Sequence, residues 1–555
     1  MQVQEWAEYT YVDCNFYHEE NGVRGENVLD SYKIFDMGKE KVAIVGVLTP
    51  ESFTKSTPAY FQDDAGNYIY GISGGEDGSA LYADIQKAID DARAEGATKV
   101  IALGHLGVDP SSEPWTSTAA IANVSGLDAF IDGHSHTELK VDTVNDKDGK
   151  PVVLTQTGSY LENIGMMVIH PDGSIETDLI TTEEILEPVL DENGEVKKDK
   201  HGEDEMKVVG YNLVSDLYDG TYVANPEVQA QKEQWIKEIE ADLGKLVGKT
   251  ELALDNFDGD KRLVRSQETN TGDFCADALY FLFDNMDLDV DLAIMNGGGI
   301  RNKAPITGDI SYLTCKEIHT FGNVACLQTV TGQLVLDALE WGARVAGTGE
   351  ECGGFLQVSG LTYQIDAEWP ESTQKDEKGV WIGGPTGGYR VHDVKVYNKE
   401  TDQWDPLDLE AKYNMAGYNY TLRDLGDGFN MFDGAVNVLD YVMEDYMVLA
   451  NYVGAFPDGV VAADNSPLTA KYPGLTTDYS TVNGAGRITF AAANREEPTE
   501  ATETVAPTAA PTAAPTEAPA EEAPANAGPI IAVVLAVLIV AVVVIVIVRK
   551  KGKKQ

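Results

Sequence analysis

The chain has few of the residues that build disulfide frameworks or nucleic-acid-binding surfaces. Only five cysteines occur in 555 residues, at positions 14, 275, 315, 326 and 352. Their spacing matches no zinc finger, and an odd number leaves at least one unpaired. Lysine and arginine total 41 against 91 acidic residues, which gives a formal net charge of −50. A nucleic-acid polymer is therefore excluded as a partner, because it needs basic surface to displace counterions. An anionic small ligand must be attracted by local cations.

The first residues also lack a secretory signal, since residues 1–5 contain neither a basic nor an apolar segment. The C-terminal residues have the pattern of a membrane anchor. Residues 530–548 are apolar and mostly branched, about 28 Å as a helix at roughly 1.5 Å per residue. Lys and Arg then dominate residues 549–555, which places this tail in the cytoplasm. We expect a single-pass cell-membrane protein with extracellular folded domains, and an N-terminal part that is missing from this chain.

Composition divides the rest of the chain. Residues 493–527 form a Pro/Thr/Ala tract with the recurrence Ala-Pro-Thr-Ala-Ala-Pro-Thr, too poor in large apolar residues to fold, which predicts an extended stalk. Asn225-Pro226 begins a segment with apolar residues at helical spacing, which predicts a linker helix over 226–247. Its apolar stripe is expected to pack inside the protein, with partner binding as the alternative. Strands and helices alternate on both sides, so 1–215 and 248–492 are expected to be α/β domains.

Three of the eight histidines lie within 32 residues, each directly after a predicted strand. The segments are Gly104-His105 and Gly133-His134-Ser135-His136. Open α/β sheets carry their sites at the carboxyl ends of strands, and residues i and i+2 of an extended segment point to the same side. The pattern predicts a metal site, and imidazole suits zinc, manganese or iron without choosing between them. A single histidine of this kind is more often a hydrogen-bonded loop residue, so the prediction rests on the grouping.

A second group of residues follows the buried strand predicted at 291–295. The sequence there is Asn296-Gly297-Gly298-Gly299-Ile300-Arg301. Backbone N–H groups of a glycine-rich turn can hold an anion while an arginine clamps it bidentately. A tight turn explains an isolated glycine run equally well, so neighbouring motifs decide the interpretation.

Together these motifs resemble the 5'-nucleotidase family, two-domain calcineurin-like metallophosphoesterases whose C-terminal domain holds the nucleoside. The resemblance is carried by spaced segments in order, namely Gly104-His105, Gly133 to His136, Arg265 to Gly272, Asn296 to Arg301, Thr320 to Asn323, Thr331-Gly332 and Gly426 to Phe429. It implies an α/β fold: a partial metallophosphoesterase domain, a layered β-sandwich of αββα type, over 1–215, and a 5'-nucleotidase C-terminal domain over 248–492.

The resemblance also implies a role for each matching residue. The metal ligands would be His105, His134 and His136. Substrate anionic oxygens would bind Arg265 and Arg301, and the nucleoside pocket would contain Asn296, Gly298, Gly299 and Asp427. Phe321 and Tyr420 would stack on the two faces of the base, although Tyr420 lies one residue further from Asp427 than the family pattern has it.

The family carries Asp-x-His, Gly-Asp and Gly-Asn-His-Asp/Glu motifs ahead of these histidines, and none precedes Tyr32 in this sequence. The catalytic His-Asp dyad belongs to the last of these motifs, so no catalytic residue is assigned. Three histidines alone cannot hold two metal ions.

The resemblance implies a cell-surface 5'-nucleotidase that uses two divalent metal ions to hydrolyse extracellular nucleotides to nucleoside and phosphate. This chain lacks part of that machinery. One alternative is an inactive surface module that binds nucleosides or nucleotides. Another is a UDP-sugar hydrolase or a 2',3'-cyclic-nucleotide phosphodiesterase of the same superfamily.

Overall fold

Alternating helices and strands build the part of the chain that the computed structural model describes. The described residues are 7–56, 58–63, 67–190, 196–198, 204, 206–218, 225–259, 261–463, 465–475 and 477–493. Their helices are Ser52–Lys55, Ser79–Ala94, Ser117–Asn123, Pro226–Leu243, Asn270–Asn285, Tyr312–Ile318, Gly332–Gly342, Asn419–Leu422, Asp445–Ala455 and Pro467–Lys471. The predicted stalk beyond residue 493, the predicted membrane span 530–548 and the basic tail 549–555 lie outside the described residues.

The strands are numbered in chain order. The first twelve are β1 Phe16–Glu20, β2 Val23–Asn27, β3 Tyr32–Asp36, β4 Lys41–Leu48, β5 Tyr70–Ile72, β6 Lys99–His105, β7 Ala129–Asp132, β8 Glu138–Asn145, β9 Pro151–Thr157, β10 Ile164–Ile169, β11 Ile175–Pro188 and β12 Met206–Val214. The next eight are β13 Leu246–Leu254, β14 Phe257–Asp258, β15 Lys261–Arg262, β16 Leu292–Asn296, β17 Ile306–Ser311, β18 Ala325–Thr331, β19 Leu356–Ser359 and β20 Leu361–Ile365. The last eight are β21 Gln374–Lys375, β22 Trp381–Gly383, β23 Val391–Asn398, β24 Gln403–Pro406, β25 Lys412–Tyr418, β26 Val436–Leu439, β27 Val460–Val461 and β28 Ile488–Phe490.

The first large sheet has six strands in the order β3-β4-β6-β7-β9-β8. Strands β4, β6, β7 and β9 run parallel, and the edge strands β3 and β8 run antiparallel to their neighbours. The central strands β4, β6 and β7 contain runs of buried apolar residues, which are typical of parallel strands covered on both faces. The predicted helix covers Ser79–Ala94 and buries the predicted face, which comprises Leu81, Ile85, Ala88, Ile89 and Ala92. Because β6 and β7 are parallel neighbours, their carboxyl ends meet at one edge of the sheet.

The second large sheet has five strands in the order β19-β16-β25-β18-β26. Its strand β16, Leu292–Asn296, is buried at every residue. Separate apolar clusters pack around it: Ala293 and Met295 belong to one, and Leu292 and Ile294 to the other. This alternation is what a strand covered on both faces produces. The described residues up to Ala493 form one compact unit with the predicted mixed α/β fold.

The predicted linker helix differs from the observed one in length and in packing. The helix ends at Leu243 instead of Val247, because Leu246 already pairs with Ser311 in a sheet. None of its residues is buried, and Trp235 is 57% exposed. The expectation that its apolar stripe packs inside this chain is therefore wrong for the described residues.

Two further sequence expectations concern the cysteines and the membrane. All five cysteines are buried and free, in agreement with the absence of a predicted disulfide framework. Within the described ranges, no helix combines the length and the apolar character that crossing a bilayer requires.

Candidate functional site

Histidines from two neighbouring strands meet at the carboxyl edge of the first sheet. His105 ends β6, and His134 follows the end of β7 at Asp132. Their ring centroids are 5.1 Å apart. Gly133 is required between them, because a Cβ atom there would lie 2.8 Å from the His105 Nδ1 atom. Parallel pairing of β6 with β7 therefore produces the predicted grouping of these two residues.

The backbone at the second motif differs from the predicted extended segment. His134 and His136 have φ angles of +73° and +56°, which is the left-handed region. Non-glycine residues adopt this region at a cost of about 1 to 2 kcal/mol each. The prediction that strand alternation points both rings to one side is thus wrong, since the strand ends before the motif. A strained turn sets the ring positions instead, as is common at functional sites.

His134 is held by a carboxylate that no sequence pattern singled out. Its Nε2 atom lies 2.7 Å from Glu51 Oε2, and the same carboxylate accepts a hydrogen bond of 2.7 Å from the Ser112 hydroxyl. Burial raises the pKa of Glu51, but the bond to His134 and the charge of Lys55 outweigh it and lower the pKa to about 2. Glu51 is therefore ionised at neutral pH and fixes the His134 ring.

Three arginines of the second half of the chain lie close to His136. Burial lowers the pKa of His136, and the positive charges of Arg301, Arg262 and Arg265 lower it further. Arg262 ends β15 and directly precedes the short 3-10 turn Leu263–Arg265, which Arg265 ends. We call Arg262, Arg265 and Arg301 the arginine cluster. The predicted metal-site residue and the predicted anion-binding residues thus belong to one site.

The carboxylate of Glu351 faces two members of the arginine cluster. Glu351 Oε2 lies 3.7 Å from Arg262 Nε and 3.7 Å from Arg265 Nη1, and Glu351 Oε1 accepts a 2.9 Å hydrogen bond from the Arg262 backbone N–H. Burial lowers the pKa of Arg265 to about 10, and the charges of Arg262 and Arg301 contribute. The charge of Asp427 also acts on Arg265, so three guanidinium groups face two carboxylates and the cluster keeps a net positive charge.

The glycine turn binds its own backbone instead of presenting free amides. Gly297 N–H donates to Phe355 O at 2.8 Å, and Gly298 N–H donates to Gly353 O at 2.7 Å. The expectation that these two amides are bare is wrong, because a second loop packs directly against the turn. A Cβ at Gly298 would lie 3.1 Å from the Gly353 Cα, which explains the need for glycine there. Anion binding in this region therefore falls to the guanidinium groups.

Asn296 and Asp427 meet beside this turn. Asn296 Nδ2 donates a 3.1 Å hydrogen bond to Asp427 Oδ2, and both side chains are buried. The Asp427 backbone is left-handed, with φ +54°, and its carbonyl accepts a 2.9 Å bond from Trp341 Nε1. Residues 131 apart in the sequence thus form one rigid polar corner. Gly299 lies on the same turn, with its Cβ position 3.0 Å from Asn296 Oδ1.

The two predicted stacking residues have different surroundings. Phe321 is 48% exposed, and the Arg301 guanidinium carbon lies 5.5 Å from its ring centroid. Tyr420 instead donates from its hydroxyl to the Thr54 carbonyl at 3.0 Å and accepts from the Asp427 N–H at 3.2 Å. Phe321 therefore offers a free aromatic face beside the arginine cluster, whereas Tyr420 connects the two halves of the chain.

Comparison with known proteins agrees with this geometry. A family model, described as the C-terminal domain of 5'-nucleotidase, matches residues 246–434. The trifunctional nucleotide phosphoesterase protein YfkN of Bacillus subtilis (strain 168) is 27% identical over 428 residues, which are 77% of this chain and 24% of that protein. Protein UshA of Escherichia coli (strain K12) is 23% identical over 476 residues, 81% of this chain and 73% of that protein. A 5'-nucleotidase precursor from Thermus thermophilus shares the fold, with a TM-score of 0.57 and 22% identity over 88% of this chain and 80% of that one.

Residues 246–434 match the C-terminal domain of the 5'-nucleotidase family, and most of the chain is similar to nucleotide phosphoesterases. It spans about a quarter of the length of YfkN and about three quarters of the length of UshA. The matched range 246–434 contains the arginine cluster, Asn296, Phe321, Tyr420 and Asp427. It excludes the three histidines, which lie earlier in the chain.

The predicted metal site is incomplete in the described part of the chain. No group of three or more His, Cys, Asp or Glu side chains there is arranged to hold a metal ion. His105 and His134 are adjacent, but the Nε2 atom of His134 is taken by Glu51. The residues that are described therefore do not fit a two-metal centre, and the ligand roles of the three histidines stay predictions.

The structure also brings a loop of the first half against the second half of the site. Tyr160 lies 6.5 Å from His136 between ring centroids, and Lys303 Nζ lies 3.7 Å from the centre of the Tyr160 ring. Lys303 also pairs with Glu162 at 2.9 Å. Tyr160 and Leu161 are both left-handed, with φ +56° and +61°. Sequence patterns could have suggested Arg262 from its spacing to Arg265, but they held no signal for Glu51, Glu351 or this loop.

Proposed function

We propose that this chain forms the nucleotide-binding site of a 5'-nucleotidase-type phosphoesterase, with the phosphate on the arginine cluster and the nucleoside between Phe321 and the Asn296–Asp427 corner. The observation that carries the proposal is the grouping of Arg262 and Arg265 around Glu351 at 3.7 Å, together with Arg301, whose charge acts with theirs on His136. Three guanidinium groups beside a histidine-bearing strand edge suit a phosphate ester. A chain with a net charge of −50 repels anions elsewhere, so a local cationic site is needed to attract one.

The chemistry of the surrounding residues supports the same ligand. Phosphate binds arginine bidentately through charge-assisted hydrogen bonds. The half-exposed Phe321 ring can stack on any base and contributes about 1 to 3 kcal/mol. Asn296 and Asp427 supply a donor and an acceptor suited to ribose hydroxyls or base edges. A relative with 27% identity is named a nucleotide phosphoesterase, which agrees in substrate class.

Hydrolysis with two divalent ions is a further part of the proposal. The family resemblance implies it, and His105, His134 and His136 would supply some of the ligands. The described residues do not supply the remainder, so no reaction step is assigned to individual side chains.

The decisive experiment separates binding from hydrolysis. Adenosine monophosphate is titrated calorimetrically into the purified chain in EDTA, and phosphate release is then assayed with added Mn²⁺ or Zn²⁺. Arg301→Gln is expected to weaken binding about 10- to 100-fold, since a charged hydrogen bond contributes about 1.5 to 3 kcal/mol. Arg24→Gln is the control, because this arginine pairs with Asp84 away from the cluster. Equal affinity of wild type and Arg301→Gln would refute the site.

A binding module without catalysis is the second candidate, and the incomplete metal site favours it. It predicts nucleotide binding in EDTA and no phosphate release with any added metal. Metal-dependent release from adenosine monophosphate would decide for the hydrolase. Parallel assays with a UDP-sugar and a 2',3'-cyclic nucleotide would distinguish the related phosphoesterase activities.

We also propose a cell-surface location, with the C-terminal helix 530–548 in the membrane and the folded residues outside. Its support is the apolar run followed by the basic tail. Protease treatment of intact cells tests it. Digestion of the folded part without lysis is expected, and full protection would contradict the proposal.

A further inference from the structure

The carboxylate of Glu351 stands where an anion would bind the arginine cluster. Its Oε2 atom is 3.7 Å from both Arg262 Nε and Arg265 Nη1. These distances are ion-pair distances but exceed those of hydrogen bonds. The only hydrogen bond to this side chain among the described contacts comes from the Arg262 backbone, at 2.9 Å to the other oxygen. The side chain therefore faces both guanidinium groups without engaging either of them fully.

The guanidinium of Arg265 has unused binding capacity. Its side chain is 17% exposed, and its Nε atom is buried without a hydrogen-bond partner among the described residues. A buried charged donor without a partner is costly, and a ligand oxygen would relieve this cost. The segment behind Glu351 is fixed, because Cys352 N–H donates to Arg265 O at 2.9 Å. When a ligand binds, the part that moves is therefore the Glu351 side chain, which is 29% exposed and can turn toward solvent.

The net charge of the arginine cluster indicates which kind of ligand displaces the Glu351 carboxylate. The cluster has three guanidinium groups, and Glu351 is the acid whose carboxylate reaches Arg262 and Arg265. The charge of Asp427 also acts on Arg265, so about one positive charge remains with Glu351 in place and about two remain once Glu351 is displaced. A phosphate monoester carries about −1.5 to −2 at neutral pH, whereas a phosphodiester carries −1. The monoester is therefore the better competitor for this site.

We propose that Glu351 is an internal counter-anion of the arginine cluster, displaced by the dianionic phosphoryl group of a monoester and less readily by a diester. This inference rests on the proposed function and adds a specificity-determining residue to it. In the ligand-free protein, the Glu351 carboxylate lies against Arg262 and Arg265. A ligand must therefore carry more negative charge than this carboxylate in order to displace it. Selection of monoesters then follows from competition, without a contact that recognises the ester group.

The test compares Glu351→Gln with Glu350→Gln in the full chain, in EDTA. Glutamine keeps an oxygen for the Arg262 N–H and removes the charge, whereas Glu350 is an exposed neighbour of equal charge. Calorimetric titrations use inorganic phosphate, adenosine monophosphate and 2',3'-cyclic adenosine monophosphate. Glu351→Gln is expected to bind phosphate at least about tenfold more tightly, because one charge interaction at this distance is worth more near a protein surface than in bulk water. The ratio of its affinities for adenosine monophosphate and for the cyclic diester should be smaller than in wild type. Glu350→Gln should bind all three ligands with wild-type affinity.

Other outcomes overturn the inference in distinguishable ways. Weaker phosphate binding by Glu351→Gln, with an unchanged thermal unfolding midpoint, would make Glu351 a positioning residue for the arginines. Unchanged binding would show that its charge is irrelevant. Glu351→Asp retains the charge and should keep the preference for the monoester, so loss of that preference would contradict the charge argument. Absence of nucleotide and phosphate binding in every variant would refute the proposed function itself.

Discussion

A buried arginine provides the sharpest stability prediction. Arg487 donates to both oxygens of Asp277 at 2.7 Å and to the Val358 carbonyl at 2.8 Å. Asp277 also accepts from the Tyr479 hydroxyl at 2.6 Å. Asp273 lies on the other side, with Arg487 Nε 3.8 Å from its Oδ1. Burial raises the pKa of Asp273 well above its ordinary value and outweighs the opposing charge of Arg487. Asp277 is therefore the bidentate partner of Arg487, and burial favours the neutral form of Asp273.

Two isosteric substitutions should then differ greatly in effect. Asp277→Asn leaves the Arg487 charge buried and unpaired, which should cost about 3 to 5 kcal/mol of unfolding free energy. Asp273→Asn replaces a neutral acid by a neutral amide and should cost less than about 1 kcal/mol. Asp91→Asn is the control, since Asp91 forms an exposed pair with Lys87 and should change stability by less than about 0.5 kcal/mol.

The assay is urea unfolding of the full chain followed by tryptophan fluorescence, at pH 5 and pH 8. Above its ordinary pKa of 3.8, unfolded Asp273 loses its proton while the folded residue retains it. Wild-type stability therefore falls as pH rises toward the folded pKa. Asp273→Asn lacks this dependence, so it should gain stability relative to wild type between pH 5 and pH 8. Equal losses for Asp273→Asn and Asp277→Asn would refute the assignment of charge.

Three further predictions concern the site. Phe321→Ala should weaken adenosine monophosphate binding by about 1 to 3 kcal/mol and leave inorganic phosphate binding unchanged, because only the base stacks on the ring; calorimetry with both ligands checks this, and equal losses would contradict it. Lys303 and Glu162 should show a coupling of at most about 1 kcal/mol in a double-mutant cycle by urea unfolding, because their side chains are 57% and 52% exposed; a larger value would show that the pair is desolvated. In EDTA, His105 should titrate with a pKa of about 4, because desolvation by the surrounding protein and the charges of His134 and His136 lower it from 6.5, although the residue as a whole is exposed. Unfolded histidine binds its proton at higher pH, so stability should rise between about pH 4 and 6.5, and His105→Asn should remove that slope. An NMR titration of the imidazole with a pKa near 6.5 would contradict this.

The patterns that depend on neighbours in sequence were predicted well. The helix Ser79–Ala94 buries the five residues that its periodicity selects. Strands β6 and β7 end next to the predicted histidines, and the mixed α/β fold follows from alternating strand and helix patterns. Local hydrophobic period and chain order are sufficient for such elements.

Features that depend on contacts between distant segments were missed. The sequence suggested bare amides at Gly297 and Gly298, but carbonyls of Phe355 and Gly353 occupy them. It suggested an extended His134–His136 segment, but that backbone is left-handed. It expected the apolar face of the helix Pro226–Leu243 to be covered, and that face is exposed. A local sequence pattern does not show which distant group accepts a hydrogen bond from a backbone amide, or which segment packs on the apolar face of a helix.

The sequence by itself determined the resemblance to 5'-nucleotidases, the order of many helices and strands and the candidate site residues, because motif spacing and hydrophobic period are properties of the sequence. Only the tertiary structure decided which charges meet. In the folded chain, the charges of Arg262, Arg265 and Arg301 act on His136. Glu351 pairs with Arg262 and Arg265, and Glu51 is hydrogen-bonded to His134. Electrostatic interactions depend on distance and burial in space, and neither quantity can be read from positions along the chain.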